Sequence, residues 1–386
     1  MNEENIPLTT APVPGGRVRP EAVEKLASAS QWRLMWLRFK RHRLAVVAAL
    51  VLIFLYLVSA FSEFVSPYDT DDRNAACILC PPQRVHFVDA QGRFHLRPFV
   101  YAFDLTIDSN TWQRVYVPRT TDPYPIHFFV RGVTCRMWNL FETDLHLFGM
   151  KDGGTIHLFG TDELGRDLFS RVVYGGRISL TIGLIGVFLT FILGIFLGGI
   201  AGYLGGVVDS LVQRSIDILQ CIPQLPLWMA VSAALPADWS GIKVYFGITM
   251  ILSFLGWTGL ARVVRGKFLS LREEDFVVAA RLCGASQSRI IFRHMLPSFM
   301  SHVITSATMA IPGMILGETA LSFLGIGLRP PVVSWGVLLQ KAQNYQVVVM
   351  SPWLLLPGLF VVIVVMAFNL VGDGLRDAAD PYSTRR

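Results

Sequence analysis

Six stretches of this chain are long and apolar enough to cross a lipid bilayer, and no other property restricts its fold as much. A hydrocarbon core about 30 Å thick takes roughly 20 apolar residues in a helix, because lipid offers no partner for an unpaired backbone N–H or C=O. The stretches are Leu44 to Phe64, Ile178 to Val208, Leu219 to Leu235, Val244 to Ala261, His302 to Gly317 and Pro352 to Val371. Pro223, Pro226 and Pro312 make the third and fifth the weakest. Composition agrees: mean hydropathy is +0.47 and 16% of the 386 residues are charged, against about 25% in soluble domains. The expectation is an all-α polytopic membrane protein with six transmembrane helices.

Six crossings return both termini to one side, and cytoplasmic loops retain Lys and Arg. Arg33, Arg38, Lys40, Arg41 and Arg43 precede the first span, and Arg262, Arg265, Lys267, Arg272, Arg281, Arg289 and Arg293 lie between the fourth and fifth. The short loops opposite offer Lys243, Arg329 and Lys341. Both termini are therefore expected in the cytoplasm, and the net charge of +6 is read as a topology signal, with no nucleic acid as partner. Residues 1–30 are polar, lack the apolar run of a signal peptide, and read as a cytoplasmic tail. In residues 31–43, Trp32, Met35, Trp36 and Phe39 share one helical face opposite the basic residues. That pattern suits a helix lying along membrane lipid at the inner leaflet, and equally a basic flank that sets orientation.

Between the first two spans, residues 66–158 are too polar for lipid and too long for an ordinary connection. They read as a small extracytoplasmic insertion domain containing β structure, with Val85 to Val88 and Phe94 to Val100 as strands around an Asp89-Ala90-Gln91-Gly92 turn. Cys77, Cys80 and Cys135 are the candidates for a disulfide of undetermined pairing. The Cys77–Cys80 spacing would also suit a metal, but matching further ligands are lacking and no metal site is expected. His86, His95, His127, His146 and His157 lack ligand spacing and read as surface or packing residues. In the second span, Gly194, Gly198 and Gly202 recur every fourth position, a spacing that lets another helix approach closely.

Residues 262–300 form a long loop with helical signals of its own. Glu273, Glu274 and Asp275 place negative charge where a helix begins. Ala279 and Ala280 then offer a small-residue face, Gly284 followed by Ala285 supplies a left-handed stop, and Ser286 caps a second helix that ends at Leu296-Pro297. A short rigid helix on a membrane protein's face suits insertion into a partner's cleft.

This loop resembles the cytoplasmic signature of ABC importer permeases, Glu-Ala-Ala followed after three residues by Gly and later by Leu-Pro. Here it runs Val278-Ala279-Ala280, Gly284, Leu296-Pro297, departing at Val278 and at His294. Gly160-Thr161-Asp162-Glu163-Leu164-Gly165-Arg166-Asp167 is similar to a block typical of the dipeptide, oligopeptide and nickel branch. So are Glu318 to Gly325, Ser334-Trp335-Gly336 and the terminal Gly372-Asp373 and Asp380-Pro381. The likeness covers about residues 159–381, with the first span (44–65) fitting in position and a short tail at 382–386. It implies the C-type permease subunit of a type I ABC importer: a second permease subunit as heterodimer partner, two ABC-type ATPase subunits that hydrolyse ATP, and an extracytoplasmic solute-binding protein. Glu274, Asp275, Ala279, Ala280, Gly284, Ala285, Ser286, Leu296 and Pro297 would then be ATPase contacts in the cytoplasmic (inner) membrane, and peptides the cargo, with oligosaccharides, opines or nickel as alternatives.

The sequence lacks the Gly-x-x-x-x-Gly-Lys-Ser/Thr loop that cradles nucleotide phosphates, so no cofactor is expected on this chain and no catalytic residue is assigned. An ion-coupled secondary transporter would show ionisable groups at mid-membrane depth. Here Asp209, Glu318 and Asp373 fall near span ends. Gln220, Pro223, Gln224, Ser306, Thr308 and Pro312 are the polar or kinked span positions that would line a route, or else pack between helices.

Overall fold

The computed structural model describes residues 31–379 except 108, 110–113, 139, 152–153 and 237. The two expected tails and Asp380-Pro381 lie outside the described residues. Among the described residues, five helices are long and apolar enough to cross a membrane: α2 (Arg43–Ala60), α4 (Leu168–Leu204), α7 (Gly241–Leu271), α11 (Met300–Phe323), and Pro352–Ala379, most of which is α14 (Leu356–Ala379), preceded by the short α13 (Tyr345–Met350).

The third expected span, Leu219 to Leu235, is not one straight helix. α5 (Gly206–Cys221) and α6 (Gln224–Ala233) meet at 88°. The cause is local: Ile222 is extended, as the residue before a proline prefers, and Pro223, with no N–H to donate, starts the next helix. Pro312, expected to interrupt the fifth span, lies inside α11 without ending it, and the helix continues beyond Gly317 to Phe323. Glu318 is thereby brought inside the span and is fully buried.

The centre of the bundle is the pair α4 and α7. The glycine spacing read from the sequence marks this contact. A Cβ on Gly198 would stand 2.4 Å from the Ala261 carbonyl oxygen, and one on Gly202 2.7 Å from that of Arg265. Ser253 Oγ donates to the Gly186 carbonyl across the same seam at 3.0 Å. Around it, Leu180, Ile182, Ile248, Leu252 and Ile315 form an apolar core without solvent exposure beyond 1%. The Arg265 side chain, farther along α7, pairs with Asp209 of α5.

Short helix α1 (Gln31–Arg41) turns its apolar face inward: Phe39 and Met35 pack with Ala45 of α2 and Ala378 of α14. Trp36 remains exposed, stacked on Phe39 with Lys40 over its ring. The amphipathic pattern thus marks a seam with the last helix, leaving only part of the face for lipid.

The insertion is β structure, carried by a one-turn helix α3 (Ser62–Val65). Strands β1 (His86–Val88), β2 (Phe94–Ile107) and β3 (Arg114–Pro125) make one antiparallel sheet, and β4 (His127–Met137) with β5 (Phe141–Gly149) a second. The expected hairpin forms, with Gly92 at φ 80° and the Asp89 carboxylate accepting from the Gln91 and Arg93 amides. β3 to β5 leave a weak trace in the sequence because few of their side chains are buried; the small core is Val100, Ile126, Phe148 and Ile156.

The expected disulfide is not formed. All five cysteines are free thiols. Cys135 lies on β4 with its Sγ donating to the Thr143 carbonyl, whereas Cys77 and Cys80 pack beside one another against residues 160–167. Two of the histidines are also far from the surface: His146 bridges the Ser66 and Val133 carbonyls, and His157 is 2% exposed.

The α4–α7 seam makes a direct prediction. Gly198→Val forces a side chain against backbone that cannot yield and should destabilise by about 1–3 kcal/mol. The thermal midpoint in detergent should fall by several degrees, while Gly259→Ala, with nothing within 4 Å of the new methyl, should melt as the parent does.

Candidate functional site: the α7–α11 loop and the knot at the start of α4

Two clusters lie at opposite ends of α4. At its C-terminal end, Tyr203 belongs to an apolar cluster with Leu260, Val264 and Phe268 of α7 and Phe299 and Val303 near the start of α11. The loop is fastened there by Val277, Ile290 and Met295, each 1% exposed or less. Val277 belongs to α8 (Asp275–Leu282), which is preceded by Glu274 as an extended N-cap and has Asp275 in its first turn. Its stripe at i, i+3, i+6 points the other way: Phe276 is 42% and Leu282 83% exposed, and Ala279 between them is exposed too. Ala280 and Ala285 pack on the inner cluster. The small-residue face read from the sequence therefore divides, with Ala279 outward and Ala280 inward.

The stop after α8 follows from hydrogen bonding. The Ala285 amide donates to the Ala280 carbonyl and the Gly284 amide to that of Arg281, a Schellman closure with Gly284 at φ 75°. An added Cβ on Gly284 would meet nothing within 4 Å, so the glycine is required by its backbone angle, and its outer side is open. Ser286 caps α9 (Gln287–Arg289) by accepting from the Arg289 amide at 3.4 Å.

Beyond α9 the chain is not the plain helix ending at Pro297 that the sequence suggested. Ile290–Met295 is a π-helical turn, and Leu296–Ser298 (α10) places Pro297 in its first turn. Pro297 lacks an N–H for the preceding turn, and the widened turn takes up that mismatch. The chain then breaks at Phe299 before α11.

At the N-terminal end of α4 the block from Gly160 to Asp167 is a buried polar knot. Asp162 Oδ1 accepts from the Leu164 and Arg166 amides at 2.8 and 3.0 Å, and Oδ2 from Arg166 Nε at 2.8 Å, with Arg171 3.5 Å away. Asp167 caps α4 through the Ser170 amide and hydroxyl, both at 2.8 Å, and its other oxygen holds His157 Nδ1 at 3.0 Å. Thr161 Oγ1 accepts from the Cys80 amide and donates to the Cys77 carbonyl. Gly165 is required at φ 74°, where a Cβ would lie 2.2 Å from the Asn74 carbonyl oxygen. Farther into α4, Arg177 grips Glu63 of α3, Nη1 to Oε1 at 2.8 Å and Nη2 to Oε2 at 2.5 Å.

The buried Glu318, in the last turns of α11, accepts from Ser322 Oγ at 2.8 Å, Ser334 Oγ at 2.7 Å and Ser179 Oγ at 3.3 Å. Ser179 also receives the Trp335 amide at 3.1 Å. This clasp joins α4, α11 and α12 (Trp335–Gln340), and it ties together the stretches at 318–325 and 334–336 that the sequence offered separately.

The suggested route residues are not one cluster by burial. Gln220, Pro223 and Gln224 lie at the α5–α6 bend, with Pro223 and Gln224 exposed and Gln220 exposed beside them; Pro312 is buried in α11, and half-buried Thr308 donates to the Ile304 carbonyl, with Ser306 half-buried nearby. Sequence reasoning missed His157, Glu63 and Arg177 as partners, because the pairs His157–Asp167 and Glu63–Arg177 join positions that no local pattern links. Among the described residues, no group of three His, Cys, Asp or Glu side chains has metal-holding geometry.

Burial raises the Glu63 carboxyl, but the Arg177 hydrogen bonds and charge outweigh it and hold the group below the ordinary glutamate range. A depressed folded-state value means the pair stabilises fully above the unfolded pKa, about 4.3, and loses that contribution as pH falls through the lower folded value. Glu63→Gln should therefore lower the melting midpoint at pH 7, and the gap from the parent should close as the pH drops toward 3. A gap that stayed constant with pH would rule this pairing out as the source.

Comparison with known proteins places this arrangement. Residues 194–384 match the model for the binding-protein-dependent transport system inner membrane component, and residues 30–82 that for the N-terminal transmembrane domain of oligopeptide transport permease C. An oligopeptide transport system permease protein of Haemophilus influenzae is 42% identical over 226 residues, 58% of this chain and 70% of that one. A dipeptide transport system permease protein of Bacillus subtilis is 39% identical over 231 residues, covering 59% and 70%. A Brucella suis protein described as a putative peptide permease is 36% identical over 261 residues, covering 67% and 83%. Among solved structures, the inward-facing MetNI methionine ABC transporter aligns at TM-score 0.41 and 17% identity over 54% of this chain and 97% of that one, too weak a likeness to carry an argument. The chain belongs to the family of binding-protein-dependent transport system inner membrane components, as a permease of the oligopeptide and dipeptide type.

Proposed function

We propose that this permease forms one half of the membrane pathway of an ATP-driven peptide importer and binds no nucleotide itself. A second permease completes the pathway, two ATPase subunits supply the energy from the cytoplasmic side, and an extracytoplasmic solute-binding protein delivers the cargo. The observation that carries this reading is α8: it is anchored on its inner side by Val277 with no exposure, while Leu282 on its outer side is 83% exposed. An apolar stripe of Phe276, Ala279 and Leu282 fixed to the ends of α4, α7 and α11 suits seating in a cleft of a motor subunit and passing its movement to the spans. Peptide as cargo is supported by the relatives' descriptions.

The test is the assembled complex in lipid, with ATPase activity measured against added binding protein and peptides. Stimulation by peptides is expected, and stimulation by a sugar with none by any peptide would overturn the cargo. Leu282→Asp should leave insertion and melting unchanged, since its side chain is exposed, yet weaken ATPase association at least tenfold, as loss of an interface anchor worth more than about 1.4 kcal/mol requires. Undiminished association and uptake would remove α8 from the coupling role.

Cys283, exposed directly after α8, tests the orientation with both termini cytoplasmic. A membrane-impermeant maleimide should modify it in inside-out vesicles and spare it in intact spheroplasts. The opposite pattern would reverse the assignment.

A further inference from the structure

The insertion brings a Cys-x-x-Cys pair onto the knot, and the function above makes no use of it. Cys80 has no solvent exposure, and its amide and carbonyl are both committed to Thr161. Cys77, three residues earlier, is half-buried and reachable, and its thiol neighbours that of Cys80, whose Sγ donates to the Pro81 carbonyl at 3.7 Å. Cys77 also interacts with the His157 ring. Asp167 holds that ring through Nδ1 at 3.0 Å, while the buried Nε2 has no hydrogen-bond partner of ordinary geometry among the described residues. The face of the imidazole left over is the one available to a sulfur.

We propose that Cys77 and Cys80 are a thiol–disulfide exchange site, with Cys77 as the attacking sulfur, His157 as its proton partner oriented by Asp167, and Cys80 as the resolving thiol. Its co-substrate is a low-molecular-weight disulfide such as oxidised glutathione. Cys77 thiolate attacks one sulfur of that disulfide, the S–S bond breaks, and one thiolate leaves. Cys80 then attacks Cys77 Sγ in the mixed disulfide, closing the Cys77–Cys80 bond and releasing the second thiolate. The protein dithiol is oxidised by two electrons and the external disulfide is reduced to two thiols. The two protons, one stored on His157 and one from Cys80, end on the released thiols.

The electrostatics divide the roles in the same way. The neighbouring Cys80 thiol lowers that of Cys77, burial opposes this, and His157 lowers it further, to about 5. Burial alone would depress His157, but Asp167 and Cys77 hold it up at about 9. Cys80 is raised by Cys77 first and by burial second. The first of these disappears once Cys77 is bonded in the mixed disulfide, so the resolving thiol is released for attack when it is needed. The other groups near the pair are Tyr68, whose ring lies tilted with its centroid 5.5 Å from that of His157 and which has Asp72 in its own surroundings, and Tyr116, whose hydroxyl donates to the Ile78 carbonyl beside Arg114. Both tyrosines are raised by burial and stay neutral below about pH 9.

The full chain in detergent, mapped peptide by peptide after iodoacetamide treatment, supplies the test. Cys77 should alkylate with a midpoint near pH 5–6, well below an ordinary thiol at about 8.5, and His157→Gln should move that midpoint up toward the ordinary value. In a glutathione redox buffer the Cys77–Cys80 peptide should lose two hydrogens. Cys80→Ser should instead accumulate a glutathione adduct on Cys77, an arm that stands even if the His157 variant fails to fold. Alkylation of Cys77 with the midpoint of an ordinary thiol, or oxidised glutathione giving neither the bridge nor the trapped adduct, would overturn the proposal.

Discussion

Everything in this molecule depends on how closely α4 and α7 approach. Where Gly198 and Gly202 lie against the Ala261 and Arg265 carbonyls, there is room for hydrogen and no more. In lipid the hydrophobic effect does little to draw one apolar helix to another, so association relies on contact density and on hydrogen bonds between backbones and small side chains. The glycines supply the first and the Ser253 to Gly186 bond the second. With this pair fixed, the remaining helices pack onto its flanks, and the Glu318 clasp anchors the polar turn before α12 within an otherwise apolar interior.

Much of this was legible in the sequence, and the reason is physical. Hydropathy finds spans because lipid tolerates only helices there, and it located the five long ones, though several run on past the apolar stretch. At Leu219–Leu235 it gave no warning of the 88° bend, because apolarity continues across Pro223 while the helix does not. In the loop, Gly284 and Ser286 were readable since caps and stops are local chemistry, whereas the π turn at Ile290–Met295 depends on how Pro297 is accommodated against α11. The division of Ala279 from Ala280 required the position of the inner cluster. In the insertion the hairpin at Gly92 carried a turn signal, while β3 to β5 are held mainly by backbone pairing, which leaves little mark on side-chain pattern.

The knot shows the same limit from another side. Its sequence block was conspicuous, but its partners were not, since Asn74, Cys77 and Cys80 reach it from across the whole β insertion. Both ends of the inserted segment are thus tied to one small polar core, with Glu63 and Arg177 clamping the adjoining helices. The outer hairpin has fastenings of its own, with Trp138 donating to the Ala60 carbonyl at 2.7 Å and Phe148 of β5 packing edge-on against Phe169 of α4.

α4 has a geometric consequence of its own. At 37 residues it is a rod about 55 Å long, with the Asp167 cap at one end and Tyr203, against the loop cluster, at the other. A rod of that length is a lever arm: each degree of tilt about one end carries the other through about 1 Å. A rotation too small to disturb the packing beside its fulcrum thus becomes, at the far tip, a displacement on the scale of a side chain.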